Sequence, residues 1–539
     1  MDTSSWCLYP IAIFLALLQL SNSELFTALV DLERVLYAED DLAKNLREYI
    51  RSEEERISAL KRIADDYEAH SESALKDVSK HLSNPVNAFL LVKRFTSDWQ
   101  QVENLIRNNT AERFMSKVSE TMTNFPDEED LVGAATALLR LQDTYALPTD
   151  KLARGQIKGV QYSPELNAED CFELGRIAYT SGDYYHTVLW MQEAKALWEQ
   201  ETEKTVAKQS ILDYLAFSLS MQGNTRAALN LTLEWIALDP EHQRAQNNKV
   251  YYEQMLADEL SSRKGDDGDV DNPPRPADVT ISRNLDGYRG SEEFQTYEAL
   301  CRGEDIIPNP FAKRLTCQYR RFAPYFMLRP LKEEVAYLDP FIATYHDILT
   351  DAEIDKIKEL AGSRLHRSGV FVYPGANHNQ LQLYRTSKSA WLRDQEDDLV
   401  RRASEKARTI ANLTLENAEE LQVVNYGIGG HYEPHYDFAR KDEKAAFDPY
   451  AGNRIATCLY YMSDVEAGGA TVFTQLGVKL WPKKGSLALW YNLQRSGEGA
   501  YTTRHAGCPV LTGSKWVCNK WFHERGQEFA RPCALSPDE

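Results

Sequence analysis

Three residues in the C-terminal third of the chain have the types and the spacing of a metal site. His435 and Asp437 lie two positions apart, and on a β-strand such residues project from the same face. His505 follows later in the chain and can supply a third ligand. Two imidazoles and one carboxylate leave coordination positions open, an arrangement that suits non-haem Fe(II) and its chemistry with O2. The pair alone is a weak signal, because a chain with 11 histidines contains such pairs by chance.

A lysine lies ten residues beyond His505. If the chain reverses between Cys508 and Gly513, Lys515 returns to the metal-bearing face, where its ammonium could pair with the distal carboxylate of a bound ligand. His431 also lies close to His435, and on a strand these two histidines share a face. Only His435 has the His-x-Asp spacing, so we expect His431 to be a bystander.

The elements that must position these residues are short strands. Beyond about residue 335, alternating apolar runs lie between turn residues, which predicts a β-rich domain. The runs are Leu421–Tyr426, Thr457–Met462, Gly485–Tyr491 and Trp516–Phe522. We expect a helix at Asp351–Ala361, with Thr350 as its N-cap. The segment 261–290 is polar, charged and interrupted by prolines, which predicts a linker before this domain.

The beginning of the chain has features of a secretory signal peptide. The apolar run Ile11–Leu20 is too short to span a bilayer, and Ser21 and Ser23 are small residues before a cleavage site after Ser23. The preceding residues lack Lys and Arg, and a buried helix is the alternative. From residue 24 to about 80, apolar residues recur at helical spacing between charged ones. These amphipathic helices either self-associate, for instance as a coiled coil, or pack within the chain.

A helical repeat occupies residues 165–256. Two similar stretches, around Gly182 and Gly223, each predict a helix, a glycine turn and a second helix, and resemble tetratricopeptide repeats with a longer period. The tyrosines of this module either pack in its core or form an aromatic groove that stacks on an extended, proline-rich peptide. These tyrosines are Tyr179, Tyr184, Tyr185 and Tyr214.

The composition limits the partners and the compartment. A formal net charge of −20 disfavours nucleic acid, because phosphate contacts need a local excess of basic residues. No segment reaches membrane-spanning length. One of the 8 cysteines, Cys7, would leave with the signal peptide, so an odd number remains and at least one thiol stays free or pairs between chains. Sequons at Asn108, Asn230 and Asn412 fit a chain of the secretory pathway.

Longer stretches around these residues carry a more specific signal. They are Tyr-Gly-x-Gly-Gly-x-Tyr-x-Pro-His-x-Asp, Gly-Asn-Arg-Ile-Ala-Thr, Tyr-Met-Ser-Asp-Val-x-Ala-Gly-Gly-Ala-Thr-Val-Phe, Trp-Pro-Lys-Lys-Gly and His-Glu-Arg-Gly-Gln-Glu-Phe. Together they resemble the α subunits of collagen prolyl 4-hydroxylases. The likeness extends over essentially the whole mature chain, including Asn-Pro-Val-Asn-Ala-Phe from Asn84 and the helical repeat.

The resemblance implies a multidomain α + β protein. Its parts would be a signal peptide (1–23), an N-terminal helical or coiled-coil dimerisation region (24–160), a tetratricopeptide-like peptide-substrate-binding module (161–260), a linker and connecting segment (261–334) and a C-terminal dioxygenase domain (335–539). The fold of the last part would be a double-stranded β-helix, or jelly roll.

For the site, the resemblance implies His435, Asp437 and His505 as the iron ligands. Lys515 would bind the C5 carboxylate of 2-oxoglutarate, with His523 assisting and Tyr426 donating a hydrogen bond to this cosubstrate. Arg454 would contact the substrate. The residues implied in peptide binding are Tyr179, Asp183, Tyr184 and Tyr214. The implied disulfides are Cys301–Cys317 and Cys508–Cys533, with Cys171, Cys458 and Cys518 as thiols.

The implied activity is 4-hydroxylation of peptidyl proline in collagen-like X-Pro-Gly sequences, with release of succinate and CO2. The cofactors would be Fe(II), 2-oxoglutarate as cosubstrate, and L-ascorbate, which returns oxidised iron to the ferrous state. The chain would associate through its N-terminal helices and, with protein disulfide isomerase as β subunit, form an α2β2 tetramer in the lumen of the endoplasmic reticulum. No retention signal is visible in the sequence, so this partner would keep the chain there.

Three alternatives compete with this interpretation. A lysyl hydroxylase is disfavoured by Lys515, where those enzymes carry arginine, and by the repeat module. A non-catalytic peptide-binding or assembly subunit is disfavoured by the intact ligand set. A cytosolic oxygen-sensing prolyl hydroxylase is disfavoured by the signal peptide and the sequons.

One departure from the family concerns the peptide module. Phe217 and Ser220 stand where family members carry tyrosines. The loss of two hydroxylated rings from a groove predicts weaker or redirected peptide binding. Proline as the target is therefore better supported than collagen as the substrate, and a non-collagen proline substrate remains an alternative.

Overall fold

The structure is a computed structural model. It describes residues 29–82, 84–107, 110–121, 126–263, 280–283, 285, 287–369, 384–441, 443 and 449–536. The predicted signal peptide and the sequon at Asn108 lie outside these residues. Among the described residues, no helix combines the length and the apolarity needed to cross a membrane. The chain divides into two compact units, Val30–Asp127 and a second that contains Glu128–Glu539.

The first unit is built from helices. These are α1 (Leu29–Leu75), α2 (Val78–Leu82), α3 (Pro85–Lys93), α4 (Trp99–Arg107) and α5 (Thr110–Thr121), with a π-helical segment, Arg94–Asp98, between α3 and α4. The shorter helices pack on α1, where Tyr49 stacks on Phe114 with ring centroids 5.2 Å apart. Other apolar positions of α1 are exposed: Leu36 by 62% and Ile57 by 44%. The long amphipathic helix is therefore confirmed, and its self-association stays a prediction.

The second unit begins with a helical module. Its elements are α6 (Glu128–Tyr145), α7 (Thr149–Ala153), β1 (Gln156–Ile157), β2 (Val160–Gln161), α8 (Ala168–Thr180), α9 (Tyr184–Gln200), α10 (Lys208–Met221), α11 (Thr225–Leu238) and α12 (Gln243–Arg263). Gly182 and Gly223 turn the chain between paired helices at φ +78° and +80°, a conformation that favours glycine. Trp190 and Ile211 are fully buried between the pairs. The predicted pair of tetratricopeptide-like repeats is confirmed.

The C-terminal domain contains two antiparallel sheets that share one core. Its strands are β3 (Cys317–Arg320), β4 (Leu331–Leu338), β5 (Phe341–His346), β6 (His366–Arg367), β7 (Arg385–Thr386), β8 (Lys388–Leu392), β9 (Leu421–Tyr426), β10 (His431–His435), β11 (Arg454–Tyr461), β12 (Ala467–Gly468), β13 (Thr471–Phe473), β14 (Val478–Leu480), β15 (Leu487–Tyr491), β16 (His505–Gly507), β17 (Val510–Thr512) and β18 (Lys515–His523). The larger sheet has the order β3-β4-β5-β15-β11-β18-β9-β8-β6, and the smaller has the order β14-β13-β16-β10-β7. Tyr461 and Trp490 of the larger sheet and Phe473 of the smaller lie in one buried cluster, so the sheets face each other as in the predicted jelly roll.

Within the described residues, four further α-helices accompany this domain. They are α13 (Glu292–Cys301), α14 (Pro324–Leu328), α15 (Asp351–Gly362) and α16 (Asp398–Ala411). Thr350 caps α15 and forms a reciprocal pair of hydrogen bonds with Glu353, which confirms the predicted N-cap. Lys406 of α16 pairs with Glu353 at 2.7 Å, and Tyr460 of β11 donates a hydrogen bond to a backbone carbonyl of α16. These two helices therefore brace the larger sheet.

The predicted disulfide pairing is wrong in this structure. Cys301 is bonded to Cys508, and Cys317 and Cys533 are exposed thiols. Cys301 and Cys508 are both buried where α13 packs against the smaller sheet, whereas Cys317 begins the outermost strand of the larger sheet. The family resemblance implied Cys301–Cys317, but the packing of α13 brings Cys301 to Cys508 instead. The thiols at Cys171, Cys458 and Cys518 are buried, as predicted.

Candidate active site

The pairing of two strands places the two candidate imidazoles next to each other. Strands β10 and β16 are antiparallel neighbours, and His435 lies directly opposite His505 in their register. The two ring centroids are 4.4 Å apart. Asp437 follows β10 after one residue, where the chain leaves the sheet. The three predicted residues therefore come together, but Asp437 does so from the segment after the strand and not from the strand itself.

The three side chains form a compact, buried cluster. One carboxylate oxygen of Asp437 lies 3.7 Å from Nε2 of His435, and the other lies 3.6 Å from Nε2 of His505. The three potential ligand atoms are all within 4.8 Å of one another. His431, the competing histidine, is not part of this cluster. The arrangement matches the two-histidine, one-carboxylate set of non-haem iron centres.

The surrounding hydrogen bonds prepare these side chains for metal. Nδ1 of His435 donates to the carbonyl of Glu433 at 2.7 Å, and Nδ1 of His505 donates to the carbonyl of Thr503 at 3.0 Å. Because a carbonyl only accepts, each Nδ1 carries the proton, and each Nε2 lone pair is left for the cluster. Bonds of this kind are the usual support of metal-binding histidines, so the residues fit an iron ion.

The electrostatics of the cluster favour a cation as well. Burial lowers the pKa of His435 well below its usual range, and the neighbouring His505 lowers it further, so its imidazole is neutral. Burial alone would raise the pKa of Asp437, but His505 and His435 lower it to about 2. A neutral imidazole at His435 and an ionised carboxylate at Asp437 are the protonation states that a metal requires of such ligands.

A hydroxyl and an amide that the sequence analysis missed hold the carboxylate. Thr457 of β11 donates from Oγ1 to Asp437 at 2.7 Å, and Asn492 donates to Thr457 Oγ1 at 2.9 Å. Thr457 and Asn492 are buried, with exposures of 1% and 0%. Thr457 lies in the Gly-Asn-Arg-Ile-Ala-Thr stretch, so a signal for it was present in the sequence.

The cluster opens into a cavity of about 360 Å³ between the two sheets. Predicted and unpredicted residues line it together: Arg385, Trp391, Gln422, Tyr426, Tyr432, His435, Tyr436, Asp437, Arg454, Thr471, Trp490, His505, Lys515, Asn519 and Trp521 are among them. Of the predicted iron and cosubstrate residues, all except His523 line this cavity. The cavity is large enough for a small acid beside a metal, and aromatic rings form much of its wall.

Lys515 projects into this cavity from the start of β18. It lies opposite Tyr426 of β9, and its Nζ is 5.4 Å from the centroid of the Tyr426 ring. A Cβ atom on Gly507 of β16 would lie 3.8 Å from the same Nζ, so the ammonium is close to the strand that begins with His505. Burial lowers the pKa of Lys515 to about 7. A bound carboxylate would offset that cost and favour the charged form.

Arg454 and His523 are joined by one carboxylate. Nε and Nη2 of Arg454 donate to the two carboxylate oxygens of Glu419, and the guanidinium stacks 4.0 Å from the centroid of the Trp521 ring. His523 contacts the same carboxylate through Nε2 at 2.9 Å and the carbonyl of Gly452 through Nδ1 at 2.7 Å. Both ring nitrogens of His523 are therefore engaged outside the cavity.

Arg385 is a further cavity residue that the sequence analysis missed. Its guanidinium lies 4.7 Å from the centroid of the Tyr432 ring, and it belongs to β7, a strand of only two residues beside β10. So short a strand leaves no periodic signal in the sequence. The position of Arg385 follows from pairing with β10 and could be found only from the fold.

The predicted peptide-binding tyrosines form an aromatic cluster in the helical module. Tyr179 packs edge-on against Tyr214 at 4.8 Å and against Phe217 at 5.6 Å, and Tyr184 packs against Phe217 at 5.8 Å. Asp183 caps helix α9, and its carboxylate also contacts Nδ1 of His186 at 2.6 Å. Phe217 thus packs against both Tyr179 and Tyr184 without a hydroxyl of its own.

Two of the predicted glycosylation sites are described, and both are exposed. Asn230 lies on helix α11, and Asn412 ends helix α16 in the left-handed conformation, at φ +52°. Exposure makes both asparagines accessible, and their modification stays a prediction.

Comparison with known families gives matches for three parts of the chain. Residues 28–159 match the family described as "Prolyl 4-Hydroxylase alpha-subunit, N-terminal region". Residues 168–258 match "Prolyl 4-hydroxylase peptide-substrate-binding domain", and residues 421–523 match "2OG-Fe(II) oxygenase superfamily". The last range contains both strands of the metal cluster and Lys515.

Similar proteins match over nearly the whole length. The chain is 46% identical over 538 residues to prolyl 4-hydroxylase subunit alpha-1 of Mus musculus, with 98% of this chain and 99% of the relative covered. It is 45% identical to prolyl 4-hydroxylase subunit alpha-2 of Caenorhabditis elegans, with 96% and 95% covered. A solved structure, the viral collagen prolyl hydroxylase of Paramecium Bursaria Chlorella virus-1, aligns at 26% identity and a TM-score of 0.28, covering 33% of this chain and 94% of its own. The family assignment rests on the full-length relatives.

Proposed function

This chain belongs to the prolyl 4-hydroxylase α-subunit family, and from that membership we propose which of its residues carry out the reaction. It is a 2-oxoglutarate- and Fe(II)-dependent dioxygenase that hydroxylates peptidyl proline. The observation that carries the residue assignment is a buried cluster of two imidazoles and one carboxylate in the same cavity as a buried lysine. The intact cluster also argues against a non-catalytic subunit, for which loss of a ligand would be the mark.

His435, Asp437 and His505 hold the iron. This assignment is supported by the short distances between the ligand atoms, by the lowered pKa of His435, and by the hydrogen bonds that hold each Nδ1 and leave each Nε2 toward Asp437. Thr457 keeps the carboxylate of Asp437 in place through its hydroxyl hydrogen bond. Bound iron supplies the activation of O2 and the oxidative decarboxylation of 2-oxoglutarate to succinate and CO2. The protein residues supply position and exclude water.

Lys515 binds the C5 carboxylate of 2-oxoglutarate. Among the described residues no carboxylate lies close enough to influence its pKa, which burial alone lowers, so the ammonium is available to an incoming acid. Burial raises the pKa of Tyr426 and outweighs the lowering effect of the nearby Arg385 and Ser387. Tyr426 therefore stays protonated, and its O–H donates to the cosubstrate.

Arg454 contacts the peptide substrate at the cavity. Its guanidinium is oriented by Glu419 and by the face of Trp521, which leaves a fixed edge toward the cavity. His523 is a positioning residue in this arrangement, because it acts on Arg454 through the shared carboxylate of Glu419. This role differs from the direct assistance to 2-oxoglutarate that the resemblance implied.

The helical module holds a proline-rich peptide against the Tyr179, Tyr184 and Tyr214 cluster. Prolyl rings in an extended peptide stack on aromatic faces, and hydroxyls at the rim bond the peptide backbone. Phe217 offers the face without the hydroxyl, which supports a substrate that departs from standard collagen repeats. Asp183 contributes by fixing the start of α9, where Tyr184 lies.

The remaining assignments rest on family membership. L-Ascorbate returns oxidised iron to the ferrous state, and protein disulfide isomerase is the β subunit of an α2β2 tetramer in the endoplasmic reticulum lumen. The exposed apolar positions of α1 support self-association through the N-terminal unit. The exposed Asn230 and Asn412 suit a lumenal glycoprotein. Domain boundaries at residues 23, 160, 260 and 334 complete this proposal.

The ligand assignment is tested by metal binding and turnover together. The full mature chain is co-produced with protein disulfide isomerase, stripped of metal and titrated with Fe(II) under anaerobic conditions. His435→Ala should lose the tight iron site and lower proline hydroxylation by at least about 1000-fold, because the variant lacks one of the three side chains that bind the metal. His366→Ala, an exposed histidine on β6, serves as the control. Retention of both iron and turnover in His435→Ala would remove the basis of the assignment.

A further inference from the structure

Helix α13 lies outside the two sheets. It contacts the residue before strand β16 and is bonded to the residue after that strand. Near its first turn, Glu293 accepts a hydrogen bond from Nε of Arg504, the residue directly before His505. At its last residue, Cys301 is bonded to Cys508, the residue directly after Gly507. The strand that begins with the third iron ligand is thus held between a charge pair and a covalent bond.

The carboxylate of Glu293 has several donors besides Arg504. Thr474 donates to the same oxygen at 3.2 Å, and Tyr288 donates to the other oxygen at 3.0 Å. The side chains of Glu293 and Arg504 are 27% and 20% exposed, so water competes little with their contact. Charge-assisted contacts of this kind are stronger than neutral ones, and they fix the direction of the guanidinium.

Arg504 joins the two segments that carry the ligands. Its backbone leads directly into His505, and its carbonyl accepts from the backbone N–H of Thr474 at 3.3 Å. Its guanidinium lies 5.0 Å from the centroid of the Tyr436 ring. Tyr436 stands between His435 and Asp437 in the sequence and lines the cavity. A displacement of the Arg504 side chain would therefore affect both halves of the cluster.

We infer that Glu293 is a positioning residue for the iron site, which acts by orienting Arg504 between the His505 strand and the His435–Asp437 segment. The inference rests on the proposed ligand set. If Glu293 has this role, the metal site needs helix α13, which precedes the predicted catalytic domain in sequence. The neighbouring Glu292 is exposed, which provides a matched control one residue away on the same helix.

The test is an equilibrium metal titration of the full chain with its partner subunit. Glu293→Gln keeps the shape of the side chain and removes its charge, and we expect Fe(II) affinity to fall about 10-fold, the lower limit for supporting groups around metal ligands. Glu292→Gln should bind Fe(II) as the unaltered protein does. In turnover, the ratio of succinate to hydroxyproline should rise in Glu293→Gln, because a loosened site decarboxylates 2-oxoglutarate without hydroxylation.

A double-mutant cycle separates positioning from general loss of stability. If Glu293 acts through Arg504, the variant that combines Glu293→Gln with Arg504→Gln binds Fe(II) no more weakly than Arg504→Gln alone. Losses that simply add, or an Fe(II) affinity of Glu293→Gln equal to that of Glu292→Gln, would overturn the inference. His505→Ala is titrated alongside: if it too binds Fe(II) normally, the proposed ligand set has failed rather than the role of Glu293.

Discussion

Raising the pH from 7 to 9 should weaken the binding of 2-oxoglutarate, because Lys515 must carry a proton to pair with its carboxylate. Burial lowers the pKa of this lysine from 10.5 to about 7. A carboxylate beside the ammonium favours the charged form and raises the pKa again. The complex therefore takes up a proton when it forms above pH 7.

The sign and the size of the change in 2-oxoglutarate affinity follow from this proton uptake. Below about pH 7 the ammonium is already charged, so the interaction is fully available and affinity is insensitive to pH. Above pH 7 the free protein holds Lys515 neutral, and each pH unit lowers affinity about tenfold. At pH 7 half of the free protein already carries the charge, so between pH 7 and 9 the loss is about 50-fold, or about 2.3 kcal/mol at 1.36 kcal/mol per tenfold change.

The assay is anaerobic calorimetry of 2-oxoglutarate binding to the iron-loaded protein at several pH values. Buffers with different heats of ionisation report the number of protons taken up. Lys515→Arg is the informative variant, because a guanidinium stays charged throughout this range and should flatten the pH profile. Lys313→Ala, an exposed lysine, should behave as the unaltered protein. An identical pH profile in Lys515→Arg and the unaltered protein would refute the assignment of the proton to Lys515.

Two further predictions concern the carboxylate ligand and the peptide module. Thr457→Val removes the hydroxyl that donates to Asp437 at 2.7 Å. The Fe(II) affinity measured by anaerobic titration should therefore fall about 10-fold. The control variant Thr409→Val on helix α16 should leave this affinity unchanged. Phe217→Tyr adds a hydroxyl to the aromatic cluster and should lower the KM for long proline-rich peptides several-fold. The value of kcat and the KM for short peptides should stay unchanged. An equal effect on both peptide lengths would argue against a groove at this cluster.

The chemistry of the site could be predicted from sequence because it depends on local spacing. His435 ends β10 and Asp437 follows just beyond it, so a separation of two residues keeps both side chains at one site although only the first lies on the strand. A turn between Cys508 and Gly513 was expected to return Lys515 to the metal-bearing face; that stretch instead contains β17, and Lys515 reaches the same cavity from the larger sheet. The start of the helix at Thr350 could be predicted for the same reason, because Thr350 and Glu353, which form its N-terminal cap, lie within four residues.

Features that depend on distant packing could not be predicted in this way. Arg385 reaches the cavity only because a two-residue strand pairs with β10. Cys301 meets Cys508 because α13 packs on the smaller sheet, at a sequence separation of 207 residues. His523 was expected at the cosubstrate, but Glu419 and the carbonyl of Gly452 engage both of its nitrogens. Each of these outcomes is decided by a partner remote in the chain.

The direct opposition of His435 and His505 across β10 and β16 has a consequence for how the enzyme can vary. Interstrand hydrogen bonds, and not the length of chain between the ligands, set the separation of the two imidazoles. Surface loops within that connection can therefore gain or lose residues at small entropic cost while the ligand set keeps its geometry. A slip of one residue between these two strands would turn one imidazole to the opposite face and abolish the site. Tolerance to insertion and intolerance to register change thus coexist within the same stretch of chain.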